Sequence, residues 1–187
     1  MKKLLMGLML VLASTTVSAQ NSGFYAGGSI GQSQAKDACD DLGGTGISCD
    51  DKDTAWKVFG GYQFNRHFAA EIGYTDLGKV SATLGSLRDE IESTAFELVG
   101  VGMFPIANNF SVYGKLGLYR GDTEERTNFG FSADETNTDL TFGFGVRYDF
   151  AERFAVRGEW QRYQDVGGGD IGESHVDVIS VGFLVRF

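Results

Sequence analysis

Three connectors of a few residues alternate with four polar spacers more than twice as long, and this unequal rhythm constrains the fold more than any other feature. The short connectors centre on Asn65-Arg66-His67, Ala107-Asn108-Asn109 and Ala151-Glu152-Arg153. The long spacers run from Lys36 to Thr54, Asp76 to Ser93, Gly121 to Asn137 and Asp165 to His175. Between successive spacers lie segments of about ten residues, rich in aromatic, β-branched and glycine residues. Up-and-down strands with short turns at one end and long loops at the other are the mark of an outer-membrane β-barrel.

The spacing predicts eight antiparallel strands: Phe24 to Ser33, Ala55 to Phe64, Phe68 to Thr75, Thr94 to Phe104, Phe110 to Arg120, Thr138 to Phe150, Phe154 to Tyr163 and Val176 to Phe187. Each is long enough for a tilted transmembrane strand of about 9 to 11 residues. Neighbouring side chains on a strand point to opposite faces. On the sixth strand, Leu140, Phe142, Phe144, Val146, Tyr148 and Phe150 form an apolar row, and Thr141, Gly143, Gly145, Arg147 and Asp149 form the opposing one. Alternation alone suits either a soluble β-sandwich or a barrel in lipid. Lipid is favoured by aromatic residues near strand ends (Phe24, Trp56, Phe64, Phe68, Phe104, Phe110, Phe150, Phe154 and Phe187) and by the single proline, Pro105, which ends a strand. The fold expected is an all-β, eight-stranded, up-and-down transmembrane barrel.

The first residues indicate export. Lys2 and Lys3 precede an apolar stretch from Leu4 to Ala13 and a small-residue cleavage site at Val17-Ser18-Ala19, so residues 1–19 read as a cleaved signal peptide and 20–187 as one barrel domain. The apolar stretch is too short to span a bilayer as a helix. The mature chain then carries 14 basic and 25 acidic residues, a formal −11, which argues against nucleic acid as a partner. The four long spacers hold 18 acidic and 5 basic residues, leaving +2 on the remainder; the acidity belongs to one end of the molecule. A solvated loop face explains this charge, as does a cation-bridged or receptor-binding surface. Both cysteines, Cys39 and Cys49, fall in the first spacer. In an exported chain such a pair predicts a disulfide, worth about 3 kcal/mol by constraining the unfolded chain. Two cysteines without a neighbouring histidine fall short of a zinc set, so no metal or cofactor is expected.

Several fragments resemble the OmpA-like transmembrane barrels. Phe59-Gly60-Gly61-Tyr62-Gln63-Phe64-Asn65, followed by Glu71-Ile72-Gly73-Tyr74 and Leu77-Gly78, is similar to that family's second hairpin. The likeness continues through Phe104-Pro105-Ile106, Val112 to Gly117, Ala155 to Gln161 and the terminal Val185-Arg186-Phe187, and so covers the whole mature chain. It implies insertion by the barrel assembly machinery, which reads a last strand ending in an aromatic; Ile179, Val181, Phe183, Val185 and Phe187 supply that row. It also implies a monomer surrounded by outer-membrane lipid and lipopolysaccharide, with long loops extracellular and both termini periplasmic. The family often carries a periplasmic peptidoglycan-binding domain after the barrel; this sequence stops at Phe187, so no cell-wall tether is expected.

Parity assigns Lys57, Glu71, Glu97, Lys115, Arg147, Arg157 and Glu159 to the interior. Barrels of this size have bores filled by side chains, and charges in such a space must be paired. A polar plug that stabilises the barrel follows, with a narrow gated ion pore as the alternative. The resemblance implies a lumen carboxylate and arginine that exchange partners, at Glu71 and Arg157 here. Val101 stands where the family has a lysine and Arg147 where it has a glutamate, so an exchange would have to use Lys115 or Arg147. A lipid A-modifying enzyme would need a histidine, serine and carboxylate near one rim. His67 lies in a short turn, and Ser174 and His175, being adjacent, point to opposite faces, so no catalytic role is expected. Asp40-Asp41 and Asp50 to Asp53 offer the carboxylate oxygens of a weak divalent-ion site but do not match the spacing of an EF-hand, and Gly167-Gly168-Gly169 lacks the lysine and helix of a phosphate loop. The expected role is structural or interactive, with acidic loops presented to the exterior.

Overall fold

Antiparallel strands account for nearly all of what the computed structural model describes, residues 22–36, 48–50, 52–84, 87–126, 132–166 and 175–187. They are β1 (Gly23–Lys36), β2 (Ser48–Asp50), β3 (Lys52–Gln63), β4 (Phe68–Leu84), β5 (Leu87–Ala107), β6 (Phe110–Arg126), β7 (Ser132–Asp149), β8 (Phe154–Tyr163) and β9 (His175–Arg186). Each of the eight long strands pairs with its neighbours in sequence, and β1 pairs with β9 from Tyr25↔Arg186 to Lys36↔His175, which closes the ring. The three-residue β2 lies outside this ring, paired to Ser81–Thr83 of β4. The result is a closed eight-stranded antiparallel barrel.

The three short connectors are tight turns. Asn65 organises the first: its side-chain Oδ1 accepts hydrogen bonds from the backbone N–H groups of His67 (2.8 Å) and Phe68 (3.0 Å), the local bonding that makes asparagine a turn residue. Asn109 donates from its amide to the Asp149 carbonyl at 2.7 Å, tying the second turn to β7.

The other end departs from expectation. The polar residues 76–93 and 121–137 read as loops in the sequence, yet β4 and β5 stay paired out to Leu84↔Leu87, and β6 and β7 out to Arg126↔Ser132. The first spacer likewise contributes the ends of β1 and β3 and all of β2. The physical reason is that a ladder is held by backbone hydrogen bonds, and beyond a bilayer those bonds need no apolar row beside them. One irregularity marks the transition. At Gly78, φ is +81°, and a Cβ there would meet the Asp53 carboxyl group within 3 Å; Asp76 Oδ1 accepts from the Gly78 N–H at 2.9 Å, and the β4–β5 register shifts between Asp76 and Lys79.

Exposure decides between lipid and water. Ile30, Leu98, Leu116, Phe144, Ile179 and Val181 each expose more than half of their surface, while Lys57, Glu71, Glu97, Lys115, Arg157 and Glu159 are buried. A β-sandwich in water would show the reverse. The apolar row of each strand faces outward all round the barrel, an area far beyond the patches that soluble monomers tolerate. Rings gather at the short-turn end, where Phe24 meets Tyr62 (4.8 Å) and Phe154 meets Phe183 (5.7 Å).

Candidate functional site

The bore is filled by an alternating set of charges and hydroxyls. Glu71 on β4 receives Arg157 Nη1 at 2.9 Å on one oxygen and Lys115 Nζ at 2.8 Å on the other. Lys115 on β6 also reaches Glu159 Oε2 on β8 at 2.8 Å, so a single ammonium joins two carboxylates from opposite sides of the barrel. Lys57 on β3 pairs with Glu97 on β5 and approaches Glu159 at 3.8 Å. Three cations and three anions therefore form one neutral network, the arrangement in which buried charges compensate each other's desolvation.

Neutral donors complete it. Tyr25 donates to Glu71 (2.8 Å), Tyr113 to Glu159 (2.7 Å) and Tyr163 to Glu97 (2.8 Å), giving each carboxylate one phenol. Gln161 accepts from Lys57 at 2.9 Å and donates to Glu97 and Thr141 at 2.8 Å each. The Arg157 guanidinium lies 3.6 Å above the Phe59 ring, a cation–π contact with an apolar floor. Glycine provides the room. A Cβ on Gly61 would stand 2.5 Å from the Tyr25 ring, and one on Gly145 would stand 2.6 Å from that of Tyr113, so each ring lies across a bare backbone.

Of the seven lumen residues singled out from sequence, six meet in this network and Arg147 does not. Arg147 is interior and buried, but it binds Asp149 two residues along β7, at 2.8 Å through Nη2, and Asp149 also takes Arg186 Nη2 at 2.7 Å. The i, i+2 spacing puts Arg147 and Asp149 on one face, which makes this pair inevitable at the short-turn end. A reading confined to charges misses Tyr25, Tyr113, Gln161, Tyr163 and Thr75, whose hydroxyl lies 3.0 Å from that of Tyr163. All but Tyr25, on whose strand no described residue is a buried charge, share the strand parity of a charged lumen residue, and that parity is the signal that finds them.

Ile179, Val181, Phe183, Val185 and Phe187 form one row on and just beyond β9, with Ile179 and Phe187 more than two-thirds exposed. His67 is exposed in its turn, and Asp177 is held by Arg162 through two bonds of 2.6 and 2.7 Å. Ser174 lies outside the described residues, as do the signal peptide, Asp40, Asp41 and Asp51, the three consecutive glycines and Cys39, and with Cys39 the expected disulfide to Cys49.

Sequence comparison converges with this geometry. The profile of the OmpA-like transmembrane domain matches residues 19–187. The chain belongs to that family. As an OmpA-like barrel it is 28% identical to outer membrane protein A of Yersinia pseudotuberculosis over 203 residues, and 28% identical to that of Salmonella typhi over 202. In both cases all of this chain is covered but only 56% of the relative, so the chain spans about half the length of the curated relatives it matches. Among solved structures, Neisserial surface protein A superposes with a TM-score of 0.67 at 16% identity, covering 89% of this chain and 99% of that one. The N-terminal barrel of Pseudomonas aeruginosa OprF gives 0.57 at 14% identity (90% and 100% covered). Ail, the attachment invasion locus protein of Yersinia pestis, gives 0.54 at 17% (88% and 99%). At these identities the likeness concerns the fold. This OmpA-like barrel is a protein of the outer membrane.

Proposed function

We propose that this OmpA-like barrel is a closed structural element of the outer membrane that presents its long-loop end as an interaction surface. The observation that carries the reading is the neutral six-charge network across the bore. Among the described residues, two spaces beside it have volumes of about 10 Å³ each, room for one water molecule at most. A lumen so filled is a plug, and its energetic role is to stabilise the wall. In this reading the short turns and both termini are periplasmic, the acidic long loops are extracellular, residues 1–19 are removed on export, and the β9 row is what the assembly machinery reads. Lipid and lipopolysaccharide surround a monomer. The role is non-catalytic: Asp177, two residues along β9 from His175, is committed to Arg162.

Planar-bilayer recording of the purified chain tests the plug. No channel events above background are expected, and Glu71→Ala and Arg157→Ala should open conductance if the network is the seal. Frequent openings of the unaltered protein would overturn the plug. The position of Lys115 between Glu71 and Glu159, 2.8 Å from each, favours a second reading, a narrow pore gated by exchange of carboxylate partners. Openings unaffected by either substitution would dismiss that gate. Protease added to intact cells should cut in the long loops only; cuts confined to the short turns would reverse the orientation.

A further inference from the structure

Below the plug, the short-turn end of the barrel opens into a vestibule of about 450 Å³. Its wall includes Gln63, Arg66, Ser111, Arg147, Asp149 and Arg186. Three guanidiniums thus face one carboxylate, a surplus of two positive charges in a chain whose formal charge is −9. The carboxylate does not saturate them. Arg147 Nη2 and Arg186 Nη2 both converge on the same oxygen, Asp149 Oδ1, at 2.8 and 2.7 Å. Among the described residues, Nη1 of the buried Arg147 has only the thioether of Met103 as a partner, at 3.8 Å, a weak acceptor. Nε of Arg186 is buried with no hydrogen-bond partner among the described residues. Planar guanidinium forks with open donors are matched by oxyanions, which they bind bidentately. The volume lies within the range of small-molecule sites, about 300 to 1,000 Å³.

We propose that this vestibule is a binding site for a small oxyanion, a carboxylate or phosphate group, seated on Arg66 and Arg186 with Arg147 behind them. Asp149 acts in it as an internal competitor that holds the guanidiniums in place and weakens the site for external anions. The inference is independent of which side of the membrane the short turns occupy, and a sealed bore makes the vestibule a blind pocket in which a ligand resides without passing.

The test is calorimetric titration of inorganic phosphate, and separately of acetate, into the full chain in phosphatidylcholine nanodiscs at low salt. Saturable binding of at least one probe is expected; phosphate alone would assign phosphate-bearing ligands, acetate alone carboxylates. Arg66→Gln and Arg186→Gln should each weaken the binding about tenfold, the scale of one charge-assisted bond. Asp149→Asn should strengthen it by a similar factor, a gain that a purely structural role for Asp149 would not produce. Arg153→Gln, at an exposed turn outside the vestibule, should change nothing. Arg66 also sits in an exposed turn, so its variant keeps the test open if Asp149→Asn or Arg186→Gln fails to fold. No saturable binding of either probe, equal weakening by Arg153→Gln, or a folded Asp149→Asn that binds no tighter would each overturn the proposal.

Discussion

Lys115→Met is the substitution that most directly interrogates the bore. It removes the ammonium that joins Glu71 and Glu159 at 2.8 Å each, leaving two cations against three carboxylates in a fully buried space. Both carboxylates keep a phenol and an arginine nearby, but each loses its strongest compensating charge. Breaking a buried pair from one side costs about 3 to 5 kcal/mol, because the abandoned charge stays desolvated. The double variant Lys115→Met/Glu71→Gln restores neutrality, with the new side-chain amide able to accept from Tyr25, and should recover more than half of the loss. Urea titration of the chain folded into lipid vesicles, followed by tryptophan emission and by the gel mobility of folded against unfolded protein, measures both. A single variant within about 1 kcal/mol of the parent would show that the ammonium is screened, contrary to its burial. A double variant less stable than the single would show that shape, and not charge balance, governs the bore.

Three further outcomes follow from the wall. Gly145→Ala should destabilise the barrel by about 1 to 3 kcal/mol, since its Cβ would fall 2.4 Å from the Gly158 carbonyl and 2.6 Å from the Tyr113 ring. Gly102→Ala, with nothing within 4 Å, should lie within about 0.5 kcal/mol of the parent in the same titration, and equal losses at both positions would refute the close-packing account. Ile179→Arg, on the outward face of β9, should cost about 2 to 4 kcal/mol in a bilayer, and a neutral result would mean that this face does not meet lipid.

The strand count and the up-and-down order are legible because turns and spacers punctuate the chain so unevenly. Strand ends on the spacer side are not, because in a hairpin such as 79–92 the apolar alternation is short (Val80, Ala82 and Leu84, then Leu87 and Ile91) and is set among five charged residues, so it reads as a loop. Alternation names the side chains that share the bore but not their partners. Lys57 and Glu97 are forty residues apart, and their meeting depends on strand stagger and barrel curvature, which no local pattern encodes. Arg147 shows the converse. Its partner lies two residues away in plain sight, yet counting charges across the bore assigns it to the wrong neighbours. Tyr113 and Tyr163 escape notice for a related reason: a phenol reads as apolar until a carboxylate is found to face it.

The pairing of β1 with β9 has a temporal consequence. Tyr25 and Arg186 are ladder partners at opposite ends of the chain, so the wall is incomplete until its last dozen residues are available. Any shorter intermediate would expose two unsatisfied backbone edges to hydrocarbon, which lipid does not tolerate. Insertion and closure must therefore be coupled late events.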